Sequence, residues 1–526
     1  ALKVRAREEL EALQNRCPQS AREEVSIFSA HCDLLSDQVM DGEIRELVRA
    51  GQLPLDQAVD TVYSRYAALL DGSEDPVFRE RARDIEDVRD RLLRLCAGDS
   101  LPFPMPEEPC ILAARDLLPS DTALLSREQV LAIVTEQGGQ TSHSAIIARS
   151  YGIPALLGVG PLLDDLTEGQ TLAVDACRGE LLAAADDAQW EELRQRSLAF
   201  QAQAEQAARY LSRPAVTLDG VPIDIALNVA AATGEELALA PHVDGVGLFR
   251  TEFLFLGRRE LPDEEEQAAA YRRVLSAFAP KPVVLRTLDI GGDKQADCLR
   301  LSSEANPFLG KRALRLCLDR QDVFRTQLRA ALRASCAGNL WLMLPMVGTL
   351  DDIRRAKVIL NQVRSELREE GIPYSPNVKF GIMVEIPSIA LLAEEAAGEV
   401  DFASIGSNDL CQYLMAADRL NPEVSTYYQP MNPALFRLIR AVADAFSSQG
   451  KPVGLCGELA ADPQAAIVLV GLGLRKLSMG ADAVSRVKQT LCQVRMDQAQ
   501  AAARRVCTLD TADAVEAYLE TTFPQH

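Results

Sequence analysis

Residues 379–419 read KFGIMVEIPSIALLAEEAAGEVDFASIGSNDLCQYLMAADR. Two short apolar runs, KFGIMVE and FASIGS, are separated by a stretch of helical length, and each run ends on polar residues. Nearly continuous apolar segments of five to seven residues suit strands buried on both faces, and parallel strands need a crossover helix between them. The same strand-then-helix pattern holds from Pro214 onward, where VPIDIALNV, DGVGLF, PVVLRTL, LWLMLPM, PVGLC and RKLSM supply six more strands. Eight strands with intervening helices predict a (β/α)8 TIM barrel over residues 214–526.

Upstream of the barrel the periodicity changes. Residues 1–100 carry AREELEAL, EIRELVRA, LDQAVDTVYSRYAALL and FRERARDIEDVRDRLLRL, with apolar residues three and four apart, which predicts a small helical bundle. LPFPMPEEPC breaks that pattern. From 101 to 185, ILAA, VLAIVT and TLAVDA alternate with turn signals and one helix, SHSAIIARSYG, as in a compact α/β module. Residues 186–213 are rich in helix formers with a thin apolar stripe and read as a linker helix. The fold class is therefore multidomain α/β.

Composition narrows the partners. The 526 residues carry 55 basic and 76 acidic side chains, a net charge of -21. That field disfavours nucleic acid and anionic membrane and suits a basic protein partner. With no run of about 18 apolar residues and no signal-like N-terminus, the expectation is a soluble cytoplasmic protein. Twelve scattered cysteines form no CxxC pair, so most are expected in the core. Only His31, His143, His242 and His526 can supply imidazole chemistry.

In a barrel of this kind the site forms where the strands end. Arg250 follows DGVGLF, Arg286 lies near the end of PVVLRTL, Glu385 closes KFGIMVE, Asn408 and Asp409 follow FASIGS, and Cys456 closes PVGLC. Arg312 in NPFLGKRALR, Lys294 in DIGGDK and Arg419 join them, giving a cationic ring around two carboxylates. This set suits a small polyanion with Mg²⁺, which takes one or two carboxylates and fills its octahedron with substrate oxygens and water. The arginines would hold phosphate or carboxylate oxygens in bidentate fashion. A thiol such as Cys456 can act as a general acid.

The second chemical motif is GGQTSHSAIIARSYGIPALLG, residues 138–158. Gly138 and Gly139 allow a tight turn, Thr141 and Ser142 can cap, and the free N–H groups of the first helical turn favour an anion beside His143. A neutral imidazole there can attack phosphorus and hand the phosphoryl group on. His242 falls at the opposite end of the barrel, and His31 is expected at a solvated or core-edge position in the bundle.

GGQTSH followed by AR resembles the phosphohistidine signature of phosphoenolpyruvate-utilising enzymes. GVGLFRTEFLF, LRTLDIGGDK, NPFLGKRALR, MVEIPS, DFASIGSNDLCQY, AADR and GLCGELA resemble, in order, the barrel segments of Enzyme I of the bacterial phosphotransferase system. The resemblance covers nearly the whole chain. It implies that 101–185 is a swivelling phosphohistidine domain phosphorylated on His143. Glu385 and Asp409 would bind Mg²⁺, and Arg250, Arg286, Arg312, Asn408 and Arg419 would hold phosphoenolpyruvate. Cys456 would protonate enolpyruvate. The helical domain would dock an HPr-like histidine phosphocarrier, and the barrel would form a homodimer.

The chain departs from the family in two places. Ala1 lies inside the first helix of the docking domain, so the strand that precedes it in stand-alone members is expected to be missing, as in a piece of a multiphosphoryl transfer protein. Gln140 stands where many relatives have a basic residue, and a modest change in rate is expected. A dikinase would need a nucleotide-binding domain, for which the first 98 residues are too short and too helical. A regulatory phosphorelay protein is the rival from another class.

Overall fold

The computed structural model describes residues 2–16, 22–71, 76–98, 108–117, 129–138, 145, 148, 152–183, 185–230, 232–291, 296–302 and 304–524. Two compact units divide the chain, residues 1–198 and 199–526.

The first unit opens with five helices, α1 (Leu2–Arg16), α2 (Arg22–Leu35), α3 (Gln38–Arg49), α4 (Leu55–Asp71) and α5 (Pro76–Ala97). Their core is built from residues one helical turn apart, such as Ile85, Val88, Leu92 and Leu95 of α5 against Val59, Val62 and Tyr63 of α4. Asp37 caps α3, its Oδ1 accepting from the amides of Val39 and Met40 at 2.8 and 3.0 Å, a contact worth about 1 kcal/mol. Helix α2 is not anticipated by the sequence reading. It carries His31 into full burial, with Nε2 3.2 Å from Asp84 Oδ1 and the ring edge-on to Phe28, so the solvated or core-edge expectation is corrected.

The α/β module has three parallel strands, β1 (Cys110–Ala114), β2 (Val130–Thr135) and β3 (Ala155–Leu157), in that order, and a hairpin of β4 (Ala173–Asp175) and β5 (Glu180–Leu182). The runs ILAA, VLAIVT and TLAVDA coincide with β1, β2 and β4. Strands β3 and β5, three residues each, are too short to give a periodic signal. Of the expected helix SHSAIIARSYG, only Ala145, Ala148 and Gly152 are described; the two alanines are helical and Gly152 lies in a turn. His143 and residues 139–142, Gln140 among them, lie outside the described residues, as does Lys294. The helix α6 (Asp187–Ala208) follows, with only Ala207 buried among its residues.

The second unit is a closed barrel of eight parallel strands: β6 (Asp224–Val229), β7 (Val246–Arg250), β8 (Pro282–Arg286), β9 (Asn339–Leu344), β10 (Lys379–Val384), β11 (Phe402–Ile405), β12 (Val453–Leu455) and β13 (Lys476–Met479). Each run expected from sequence forms one of them. Strand periodicity sorts the side chains. In β10, Phe380, Ile382 and Val384 face the surrounding helices, while Met383 joins Leu248, Val284, Met343, Phe402 and Cys456 in a separate cluster inside the barrel. In β8, Val283 and Leu285 face out and Val284 faces in. The next inward positions are Arg250, Arg286 and Glu385, so alternation alone delivers these three to the interior at the C-terminal mouth.

At the opposite end, Lys379 and Lys476 place their ammonium groups 4.1 and 5.1 Å from the centre of the Trp341 ring. Lys476 Nζ is buried without a hydrogen-bond partner, and burial pulls its pKa down to about 8 against the smaller opposing pull of Asp224 and Asp244. Five of the eleven free cysteines among the described residues are buried, fewer than expected. Among the described residues no helix is long and apolar enough to cross a membrane.

Candidate active site at the barrel mouth

The sequence-predicted residues converge at the strand ends, joined by two carboxylates that the sequence reading missed. Glu252 sits in the short turn Thr251–Leu254 directly after β7 and is fully buried. Its Oε1 accepts from Arg250 Nε at 3.0 Å and from Arg286 Nη2 at 2.7 Å. Arg286 Nη1 in turn lies 2.9 Å from Asp289 Oδ2. Asp289 Oδ1 accepts from Arg312 Nη2 at 3.0 Å, and the same Nη2 lies 3.2 Å from Asp409 Oδ2. Asp409 Oδ1 is 3.5 Å from Arg419 Nε. The result is one unbroken series of alternating charge, Arg250, Glu252, Arg286, Asp289, Arg312, Asp409 and Arg419.

Local geometry explains how distant segments meet. Gly291 takes φ +112°, and a Cβ there would come within 2.5 Å of the Arg312 Cβ, so only glycine lets the loop after β8 pass this closely. The Ala313 amide donates to the Ile290 carbonyl at 2.9 Å, docking Arg312 beside Asp289. Thr251 Oγ1 donates to the Arg286 carbonyl at 2.7 Å and ties the turn carrying Glu252 to the end of β8.

Arg286 and Arg312 are nearly fully buried. Burial alone would lower their pKa values, but Asp289 with Glu252, and Asp289 with Asp409, outweigh it and hold both guanidiniums above their ordinary range. Each keeps its Nε without a hydrogen-bond partner. Arg250 is about one third exposed and stacks on the Phe253 ring at 4.6 Å. Among the described residues four arginines face Glu252, Asp289, Glu385 and Asp409, so this part of the mouth is closer to neutral than the expected cationic ring. The reason is that buried guanidiniums need counter-charge even before a ligand arrives.

Glu385 is buried, and burial, then the charges of Asp409 and Asp289, push its pKa up to about 8. Its Oε1 accepts from the Met346 amide at 2.5 Å, where Met346 adopts φ +53°. Its Oε2 faces Gly406, and a Cβ at 406 would lie 2.9 Å away, so glycine keeps that oxygen clear. Two mutually repelling hard carboxylates with one oxygen left open fit a Mg²⁺ site completed by substrate oxygens. Among the described residues no group of three or more His, Cys, Asp or Glu side chains could by itself hold a metal.

Asn408 Oδ1 accepts from the Glu458 amide at 2.9 Å, which fixes the side chain beside the loop after β12. Cys456 is buried; burial pushes its thiol up to about 11, while the Ser404 hydroxyl and Arg286 pull weakly the other way. It is therefore a protonated thiol near neutral pH. His242 lies away from the mouth, its carbonyl taking the Lys488 ammonium and its Nδ1 3.2 Å from Ser212 Oγ. The signals for Glu252 and Asp289 are present in RTE and RTLD, an acid two or three residues after each arginine.

Comparison with known proteins fits this geometry. Models of the PEP-utilising enzyme family match at residues 3–81 (N-terminal), 106–179 (mobile domain) and 204–496 (PEP-binding domain). The phosphoenolpyruvate-protein phosphotransferase of Bacillus sp. (strain S) is 42% identical over 99% of this chain and 90% of its own length. That of Geobacillus stearothermophilus is 41% identical over 99% and 90%, and that of Bacillus subtilis (strain 168) 40% identical over 99% and 92%.

The chain belongs to the phosphoenolpyruvate-protein phosphotransferase family.

It is thus an enzyme of the phosphotransferase class, as the motif resemblance implied. The PEP-utilising mobile-domain match contains His143, and the PEP-binding match contains Arg250, Arg286, Arg312, Glu385, Asn408, Asp409, Arg419 and Cys456.

Proposed function

We propose that the chain takes the phosphoryl group of phosphoenolpyruvate onto His143 at the barrel mouth and passes it to an HPr-like histidine phosphocarrier serving sugar uptake. The observation that carries the reading is the unbroken Arg–carboxylate series across three strand ends, in a barrel of the PEP-binding family. Phosphoenolpyruvate carries a carboxylate and a phosphate close together, and a row of oriented guanidiniums can grip both.

In this reading Arg250, Arg286, Arg312 and Arg419 bind and orient the substrate, with Asn408 donating its amide to an oxygen. Glu385 and Asp409 hold Mg²⁺, which when bound supplies charge neutralisation at the phosphoryl oxygens. An imidazole nitrogen of His143 forms the new P–N bond as the bridging P–O bond breaks, and the arginines absorb the charge on the departing enolpyruvate oxygen. Cys456 gives its proton to the methylene carbon, yielding pyruvate. His143 belongs to the other compact unit, and the reading has that unit swivel between loading and delivery. The acidic chain favours a basic carrier surface, and a homodimer through the barrel completes the assembly.

The experiment is incubation with labelled phosphoenolpyruvate, Mg²⁺ and a purified HPr-type carrier. Label should appear on the carrier only when all three are present; a labelled chain that never passes label to such a carrier sinks the transfer half of the reading.

A further inference from the structure

Arg250 stands on the rim with a third of its side chain exposed, and an arginine in that setting has many rotamers available. The structure gives it one. Its Nε is held by Glu252 Oε1 and its face lies on Phe253, which leaves the Nη1 and Nη2 edge as the part turned away from these contacts. The same oxygen of Glu252 also receives Arg286 Nη2, so the two guanidiniums are indexed to one point. That point is rigid: Glu252 is fully buried, its carbonyl accepts from the amides of Phe255 and Leu256 at 2.9 and 3.2 Å, and the adjacent Thr251 hydroxyl is bonded to the Arg286 carbonyl. Gln327 Nε2 donates to that hydroxyl at 3.0 Å and locks it further.

We infer that Glu252 is a positioning residue for phosphoenolpyruvate, setting the angle between the Arg250 and Arg286 forks so that both meet one anion without reorganisation. The inference rests on the proposed phosphoenolpyruvate reading of the mouth. A carboxylate that served only to neutralise buried charge would be satisfied by Arg286 alone and would have no reason to reach the one-third-exposed Arg250. A single oxygen shared by two arginines is instead the arrangement that couples their orientations.

The test is a double-mutant cycle on the full chain with Glu252→Gln, Arg250→Ala and the pair, reading incorporation of acid-labile phosphate from labelled phosphoenolpyruvate with Mg²⁺. Glu252→Gln should raise the half-saturating phosphoenolpyruvate concentration about tenfold while changing the maximal rate less than about threefold, and the double variant should lose clearly less than the product of the single losses. Losses that multiply, or a fall in maximal rate at unchanged half-saturation, overturn the inference. If Glu252→Gln does not fold, Glu252→Asp, which keeps the charge but shortens the reach, takes its place in the same cycle with the same criteria. A parent chain that takes no label overturns the phosphoenolpyruvate reading together with this one; a labelled parent with an additive cycle overturns only this one.

Discussion

Asp289 and Arg312 lie 23 residues apart in sequence, yet Asp289 Oδ1 and Arg312 Nη2 meet at 3.0 Å, both side chains almost wholly buried. The other oxygen of Asp289 holds Arg286, so one carboxylate compensates two guanidiniums. Removing its charge leaves both under-compensated in a dry setting.

Asp289→Asn is therefore expected to destabilise the barrel by about 3 kcal/mol and to weaken phosphoenolpyruvate use about tenfold. Urea unfolding followed by Trp341 fluorescence, in a Trp190→Phe background, measures the first effect. A variant within about 0.5 kcal/mol of the parent would show that the bridge is not required.

Cys456 keeps its proton well into the alkaline range because burial holds its thiol near 11. Exchange of pyruvate methyl protons with deuterated solvent should depend on it, falling about a hundredfold in Cys456→Ala. Protonation at carbon by the parent should show no loss from this thiol between pH 7 and about 10, with a decline only as the pH nears 11.

Lys476 gives a stability prediction with a definite sign. Its folded pKa, about 8, is below its unfolded value of about 10.4, so the unfolded chain binds more protons between them and stability rises with pH through that window. Below about pH 8 the charged amine costs the fold a roughly constant amount, on the order of 3 kcal/mol as an upper bound. Lys476→Met should accordingly stabilise the barrel at pH 7 and flatten the rise between pH 8 and 10. The check is the difference between parent and variant urea midpoints across that range; an unchanged slope contradicts the assignment.

Glu385 and Asp409 make a separate prediction about metal. Chelation with EDTA should abolish phosphoryl transfer from phosphoenolpyruvate and added Mg²⁺ should restore it, while Glu385→Gln should lower the rate at least about a hundredfold at any Mg²⁺ concentration. Undiminished transfer in EDTA would remove these carboxylates from the proposed metal role.

The barrel was legible because its strands are buried on both faces. KFGIMVE and LWLMLPM need no partner to be read as strands, and inward alternation then carries Arg286 and Glu385 to the mouth. Helix α2 was missed because its apolar positions are diluted by polar residues, and tertiary packing of Phe28 and His31 supplies what periodicity does not. Strands β3 and β5 were too short to show a period. Glu252 and Asp289 went unread for a different reason: an acid near an arginine is an ordinary surface pattern, and only the barrel's closure shows that these two face buried guanidiniums. The expected cationic ring failed for the same reason, since counter-charge is demanded by burial, which a sequence does not display.

The most direct test of the central claim is the fate of label from phosphoenolpyruvate in the presence of Mg²⁺. The parent chain should acquire close to one acid-labile, base-stable phosphate per chain, His143→Ala none, and Arg286→Ala should acquire it far more slowly. Label retained in His143→Ala, or an Arg286→Ala rate equal to that of the parent, would contradict the account.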